Sequence, residues 1–456
     1  MSSIPRRDFL KAGTGLALAG ALPWNSAAAP TAAKPNILLI ICDQLSWNAV
    51  SAHGCKWVQT PNIDRLIRGG VSFVESHSTN PVCSPARSSI ITGRMPVETG
   101  VISNSRPIHT SVPNIGQWLT PKGYDAMYCG KWHLPGGRPH TMDGFRVIPA
   151  GGGQGDLMDN SVARLSANAI ANHKGERPFL LISSLLQPHD ICYWAIQNRD
   201  LVPPKMPFDE LGPPLPDLPP NNKVRPPAPA KLAQCRGPAF SDDQWRYYRY
   251  IYFRQVEMLD HDVGRILDAV EQTGKAEDTL VVFTSDHGEG GGRHSHVQKW
   301  YPYEEGVKVP LVVRCPGRAR ENVLDKEHLV SGLDIVPTIC DYAGVEPPPH
   351  MRGFSLRPLL EGASTEWRDF VSTEHHFIGR MVRTARYKYV RYKDDPVEQL
   401  FDMKTDPWEM NNLYQDPAHA DTVRAHRERL DQWTASLIPV PPTPDASKKH
   451  RQRRKG

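Results

Sequence analysis

The segment Asn36-Ile37-Leu38-Leu39-Ile40-Ile41-Cys42, closed by Asp43-Gln44, is apolar from its second residue to its end, with no polar residue in alternation. A strand with one wet face alternates apolar and polar side chains. An unbroken run rich in Ile and Leu reads instead as a strand covered on both faces, as in a mainly parallel sheet. Comparable runs recur at 179–186, 279–284 and 309–314, and most of the stretches between them are long enough to include helices. That alternation predicts an α/β sandwich whose functional groups sit at the carboxyl ends of its strands.

Outward from these runs the chain changes character twice. Gln187-Pro188 stands directly behind the 179–186 run, and a proline there reads as the end of a central strand. Residues 203–238 then carry a dense series of prolines, an irregular excursion that suits a substrate-binding wall and surface cladding equally. A long helix is expected over 245–270. Beyond Pro347-Pro348-Pro349 the pattern turns to short alternating strands, with 380–392 and 399–403 read as antiparallel neighbours and 418–437 as an amphipathic helix. The expected organisation is a leader over 1–33, a catalytic domain over 34–346, a smaller C-terminal α+β subdomain over 347–440 and a basic tail over 441–456. No internal repeat is visible.

With 456 residues, 39% of them hydrophobic and 23% charged, the chain is long enough for a sizeable core and is no disulfide-stapled miniature. The net charge of +5 is misleading. Six positive charges lie in residues 447–456 and two more, net, around Arg6-Arg7, so the remainder stands at −3. A folded body without basic excess gives no support for nucleic-acid binding, and the tail reads as a solvated, disordered segment. Pro5-Arg6-Arg7-Asp8-Phe9-Leu10-Lys11, a Gly/Ala/Leu stretch over 12–22 and the small residues Ser26-Ala27-Ala28-Ala29 have the layout of a twin-arginine export signal. Cleavage is expected between 28 and 33, after passage through the twin-arginine translocase. The mature protein is expected in the periplasm or otherwise exported, with no stable membrane insertion, since no other window approaches a spanning length. Eight cysteines show no C-x-x-C pair, and their spacing does not yield a disulfide pattern.

The most informative stretch is Cys83-Ser84-Pro85-Ala86-Arg87-Ser88-Ser89-Ile90-Ile91-Thr92-Gly93-Arg94. Its C-x-P-x-R opening followed by T-G-R resembles the modification motif of the type I sulfatases, members of the alkaline-phosphatase-like superfamily. In that family the cysteine is oxidised to Cα-formylglycine. The chemistry gives the modification a reason: sulfate monoesters are anions that repel nucleophiles, and a thiol attacking sulfur would have no easy way to release it. One hydroxyl of an aldehyde hydrate can attack sulfur, and deprotonation of the other can expel sulfate and restore the aldehyde.

Two further groups extend the resemblance. Asp43 ends the first strand, and Ser285-Asp286-His287-Gly288-Glu289 follows the 279–284 strand, so both acidic groups lie where buried strands end. The resemblance implies a metal site of Asp43, Gln44, Asp286, His287 and residue 83 holding Ca²⁺, with Mg²⁺ or Mn²⁺ as alternatives. Oxygen donors suit such hard cations. This chain has Asp43-Gln44 where the family often has Asp-Asp, which lowers the negative charge of the site. Gly130-Lys131-Trp132-His133, Pro188-His189-Asp190 and Lys299 with Tyr303-Glu304-Glu305-Gly306 resemble further family elements. By that resemblance Arg87 and Lys131 hold the formylglycine and sulfate oxygens, and His133 is the base that promotes sulfate release. His189 and Lys299 contact sulfate and protonate the leaving alcohol. Cations aimed at developing charge can each be worth on the order of 100-fold in rate.

The resemblance spans most of 35–415 and is weakest over about 190–245. It implies a large mixed, mostly parallel sheet between helices with a smaller antiparallel sheet behind it. It also implies a sulfatase matured by a formylglycine-generating or anaerobic sulfatase-maturating enzyme, and the export signal points to a sulfated carbohydrate as substrate, because polymer-derived substrates are met outside the cytoplasm. The competing readings are a phosphonate or phosphate ester hydrolase on the same scaffold, and a non-catalytic glycan-binding relative. Arg293-His294-Ser295-His296 reads as a sulfate-facing or solvent loop rather than a metal site. Glu374-His375-His376 and Asn104-Ser105-Arg106 are weaker candidates for substrate recognition, with solvated loop as the default.

Overall fold

The computed structural model describes residues 34–134, 142–197, 214–230, 232 and 237–445. The expected leader, the basic run 447–456 and much of the proline-rich 203–238 segment lie outside the described residues. The first strand, β1 (Asn36–Asp43), forms as read, and its alternate residues explain why no polar position interrupts it. Leu38, Ile40 and Cys42 enter one core, and Ile37, Leu39 and Ile41 enter another on the opposite face.

The large sheet is completed by β2 (Val71–Phe73), β3 (Asp125–Gly130), β4 (Arg146–Ile148), β5 (Phe179–Pro188), β6 (Thr279–Ser285), β7 (Leu311–Arg314) and β8 (Val323–Asp325). Its order is β4-β3-β5-β1-β6-β7-β2-β8. Only β7 runs against its neighbours β6 and β2; the other pairings are parallel. β5 continues through Pro188, two residues past the expected stop, and Asp43 is the register partner of Pro188. That extension brings the ends of β1 and β5 level.

Helices cover both faces. α1 (Pro61–Arg68), α3 (Gly155–Asn172) and α4 (Asp242–Gln272) border the first core; α2 (Cys83–Thr92) and α5 (Ile335–Tyr342) border the second. α4 begins three residues before the expected 245 because Ser241 and Gln244 form a reciprocal capping box, each side chain bonding the other's backbone N–H.

The small sheet is an antiparallel meander of β9 (Phe370–His375), β10 (Gly379–Thr384), β11 (Tyr387–Tyr392) and β12 (Glu398–Asp402). The expected single strand over 380–392 is a hairpin. Thr384 Oγ1 closes the turn, donating to Tyr387 O and accepting from Tyr387 N. α6 (Ala420–Ser436) packs Val423 and Leu430 on Val382, Tyr389 and Leu400. Lys388, fully buried on β11, ties this sheet to the turn 304–307 through Glu304 (3.1 Å) and Glu409 (2.7 Å). Among the described residues the seven cysteines are unpaired, and no helix is long and apolar enough to cross a membrane.

Candidate active site

Four neighbouring strands of the large sheet end at one place. Asp43 closes β1, Asp286 follows β6, Lys131 follows β3 and His189 follows β5. Gly130 has φ 103°, and a Cβ there would lie 2.0 Å from Ser184 O, so only glycine lets β3 pass this close to β5 and deliver Lys131. Into this end points α2, with Cys83 as its first residue behind the extended Val82. Asn104 Oδ1 accepts from Ser84 N (2.9 Å), satisfying one of the free amides of the helix start.

The side chain of Cys83 is fully buried. Its Sγ lies 3.2 Å from His287 Nε2, 3.4 Å from Lys299 Nζ and 3.8 Å from Asp43 Oδ1. One turn along α2, Arg87 fixes both carboxylates: Nε donates to Asp286 (2.7 Å) and Nη2 to Asp43 (3.2 Å), while Nη1 donates to Ser184 Oγ (2.6 Å) and Lys131 O (3.2 Å). Lys131 Nζ adds a contact to Asp43 at 2.5 Å. Burial and Asp43 push the Cys83 thiol up, but Lys131, Lys299 and His287 outweigh them and hold it well below its ordinary value. Burial likewise opposes ionisation of Asp43, yet Lys131, His189, Lys299 and Arg87 hold it well below the usual carboxylate range.

Asp43, Cys83, Asp286 and His287 offer one ligand atom each, all within 4.8 Å of one another. The carboxylate oxygens of this group, from Asp43 and Asp286, suit a hard divalent cation, whereas a thiol sulfur at position 83 does not. Burial and the adjacent Asp43 push the Asp286 carboxyl up, a repulsion that a cation between the two would relieve. His287 has its orientation set from behind: Nδ1 donates to Gly288 O (3.0 Å), which leaves Nε2 facing Cys83 and the carboxylates.

Gln44, with φ 74°, follows Asp43 directly, and its backbone N–H donates to Asp286 Oδ1 (3.2 Å). Its Nε2 donates to Glu289 Oε2 (2.5 Å) and its Oε1 accepts from Lys299 Nζ (2.7 Å). Lys299 is thereby aimed between Gln44 and Cys83; burial works against its charge, but Cys83, Cys192, Asp43 and Asp286 raise its pKa.

His133 and His189 complete the ring less directly. His133 accepts at its carbonyl from Ser84 Oγ (2.5 Å), next to Cys83. Burial lowers the pKa of His189 while Asp43 and a hydrogen bond with Cys83 oppose that. The Nδ1 atoms of both rings are buried without a hydrogen-bond partner among the described residues.

The structure thus draws Asp43, Gln44, Cys83, Arg87, Lys131, His189, Asp286, His287 and Lys299 into one cluster, with His133 at its edge. Other readings change. His294 and His296 face neither solvent nor this cluster: they are 2% and 4% exposed, His294 bonded to Asn221 and Val224 O and both rings packed on Tyr301 or Tyr303. Glu374 and His375 are buried, not solvated loop residues. Sequence reasoning gave no role to Glu289, which accepts from Gln44, Tyr248 Oη and the amides of Gly291 and Gln298. Nor did it find Ser184, although a Ser-Ser pair inside an apolar strand was a signal.

A family model described as "Sulfatase" matches residues 35–345, and one described as "N-sulphoglucosamine sulphohydrolase, C-terminal" matches residues 292–436. The chain is 31% identical over 460 residues to a Δ4,5-hexuronate-2-O-sulfatase of Bacteroides thetaiotaomicron, covering 92% of this chain and 91% of that one. It is similar to the solved structure of a 2-O GAG sulfatase at TM-score 0.78 and 28% identity, covering 91% and 98%. It is also similar to the phosphonate monoester hydrolase of Agrobacterium radiobacter at TM-score 0.72 and 25% identity, covering 89% and 96%.

Proposed function

This chain belongs to the sulfatase family of sulfuric ester hydrolases, and from that premise we propose that it is an exported enzyme removing sulfate from a sulfated glycan, with residue 83 as Cα-formylglycine beside Ca²⁺. The observation that carries the reading is the position of Cys83, at the head of a helix and within 3.8 Å of Asp43, His287 and Lys299. A structural cysteine has no need of such surroundings, whereas a nucleophile facing an anionic ester does.

As the hydrate of Cα-formylglycine, residue 83 supplies one hydroxyl to attack sulfur and a second whose deprotonation releases sulfate and restores the aldehyde. Asp43, Gln44, Asp286 and His287 would hold the cation, which would supply positive charge to the sulfate and to the nucleophile. Arg87 keeps the two carboxylates apart and oriented. Lys131 and Lys299 bring positive charge to the sulfate oxygens. Lys299 stays protonated at neutral pH and is a proton donor to the leaving alcohol. His189, whose pKa lies below the ordinary value in the free enzyme, gains a proton more readily once the anionic ester is beside it. His133 takes the proton whose loss frees sulfate.

The twin-arginine leader supports periplasmic or other export of the folded, already modified chain through the twin-arginine translocase. Its maturation then falls to a formylglycine-generating or anaerobic sulfatase-maturating enzyme before transport. The test is sulfate release from a panel of sulfated glycans, with Cys83→Ala as the control: turnover of a glycan lost in that variant supports the reading, and activity on small aryl sulfates alone overturns the glycan part. The likeness to a phosphonate monoester hydrolase favours a second reading, hydrolysis of phosphorus esters on the same site. Matched sulfate, phosphate and phosphonate esters separate the two by their kcat/KM.

A further inference from the structure

Immediately after Lys299, Trp300 has φ 96°, a backbone conformation that a bulky L residue adopts only under constraint, and its side chain is 37% exposed. Its N–H donates to Pro81 O (3.3 Å), two residues before Cys83, and its ring lies 5.5 Å from that of His375. The lysine at the nucleophile is therefore followed directly in the chain by an indole open to solvent.

His375 leads to a cavity of about 450 Å³ in the small sheet, lined by His376, Arg380, Arg391 and Lys393 together with Glu374 and Asp394. Arg380 and Arg391 are direct partners across β10 and β11, and like charges set opposite each other cost a sheet stability. Each is met by one acid. Glu374 meets Arg380 only at Nε (3.3 Å) and also accepts from Val97 N, while Asp431 meets Arg391 at Nη2 (2.6 Å). Glu398, on the far side of Arg391 in register, is taken by Arg427 and Tyr389. Burial lowers the pKa of His376, and Lys393, Arg380 and Arg106 lower it further, which reports the cationic character of this rim. The cavity shares its framework with the nucleophile. Glu374 N donates to Thr79 O (2.8 Å), Thr373 Oγ1 donates to Ser78 O (2.6 Å), and Arg106 follows the Asn104 that caps Ser84.

Resting on the glycan-sulfate reading above, we infer that Trp300 and the Arg380–Arg391–Lys393 cavity form a second recognition point for the substrate, the indole carrying a sugar ring and the cavity taking a second anionic group of the same glycan. A carboxylate and a sulfate share the required chemistry, planar or tetrahedral oxygens that accept from a guanidinium fork.

The test uses the full matured enzyme on a sulfated, uronate-containing disaccharide carrying a second sulfate, and on 4-nitrophenyl sulfate. Two trimmed substrates accompany it, one with the carboxylate reduced to an alcohol and one without the second sulfate. Arg380→Gln, Lys393→Gln and Trp300→Ala are each expected to lower the ratio of kcat/KM on the disaccharide to that on the aryl ester about tenfold or more, mainly through KM, as loss of a charged hydrogen bond or a stacked ring implies. The trimmed substrate that costs the wild type as much, and that no longer distinguishes the Arg380 and Lys393 variants, identifies the anion. Ratios equal to wild type in all three variants, or equal losses on both substrates, overturn the subsite while leaving the proposed function intact. A wild-type enzyme that releases sulfate from no glycan overturns both. Melting curves check folding, and Lys393→Gln, exposed beyond the end of β11, decides the matter if Arg380→Gln does not fold.

Discussion

Gly288 offers the most direct mechanical test of how the site is held. It lies between His287 and Glu289, and a Cβ built on it would stand 1.9 Å from Glu305 O and 3.0 Å from Ser46 Oγ, where ordinary contact begins at 3.4 Å. Neither obstacle is the loose end of a long side chain. Glu305 O belongs to the turn 304–307, and Gly288 N itself donates to Gly306 O at 3.0 Å, so the two backbones are already bonded together. In Gly288→Ala they must part by about 1.5 Å, the shortfall between those two distances. Asp286 and His287 move with them, away from Asp43 and Cys83. A misplacement of that size in catalytic groups costs on the order of 100-fold in rate, and overpacking of this kind typically costs about 1–3 kcal/mol of stability. The assay is kcat/KM for sulfate release beside a denaturant melt and a Ca²⁺ titration; the expected result is a fall in kcat/KM of roughly that size, weaker Ca²⁺ binding and a lower melting point. A Gly288→Ala enzyme with wild-type rate and wild-type Ca²⁺ affinity would refute the claim that the close packing of 288 against 305 sets the geometry of the ligands.

Three more expectations follow from the buried charges. His375 has its pKa pushed down to about 4 by burial and then by His376, and its Nδ1 accepts from the amides of Phe377 and Ile378. The unfolded ring takes a proton below its ordinary 6.5 while the folded ring stays neutral, so stability is full above that pH and declines by up to about 3 kcal/mol towards pH 4. Denaturant unfolding of His375→Gln across this range should show a shallower pH dependence; a slope equal to wild type contradicts the assignment. Lys388→Met strands Glu304 and Glu409 in the interior and should cost about 3–5 kcal/mol by chemical unfolding, with a negligible loss counting against the account. Removing divalent cations from the full enzyme with a chelator should abolish sulfate release and lower the melting point, and Ca²⁺ should restore both; turnover untouched by chelation contradicts a metal between Asp43 and Asp286.

Much of the large sheet was legible because burial on two faces leaves a simple mark, an unbroken apolar run, and β1, β5 and β6 carry it. The short flanking strands β2, β4 and β8 have three residues each and leave no pattern that survives in sequence. The hairpin inside 380–392 was hidden because its turn, Thr384-Ala385-Arg386-Tyr387, holds no Gly, Pro, Asn or Asp. At the site, strand ends and motif strings identified residues that the structure gathers around Cys83. They could not reveal the layer behind: Ser184 under Arg87, Glu289 behind Gln44, Asn104 capping Ser84. Each of these partners is separated from its residue by tens to hundreds of positions and exists as a neighbour only after β-strand register brings the chain together. The same holds for His294 and His296, whose sequence suggested a sulfate-facing or solvent loop. Inside, His294 bonds Asn221 and Val224 O, and the two rings pack on Tyr303 and Tyr301.

The central claim is that residue 83 does its chemistry as an aldehyde. Mass spectrometry of the peptide that contains it, from protein made in the native host, measures this directly. The account predicts Cα-formylglycine at position 83. Unmodified cysteine there, in cells whose maturation system converts a control sulfatase, would contradict it and favour a silent glycan-binding protein.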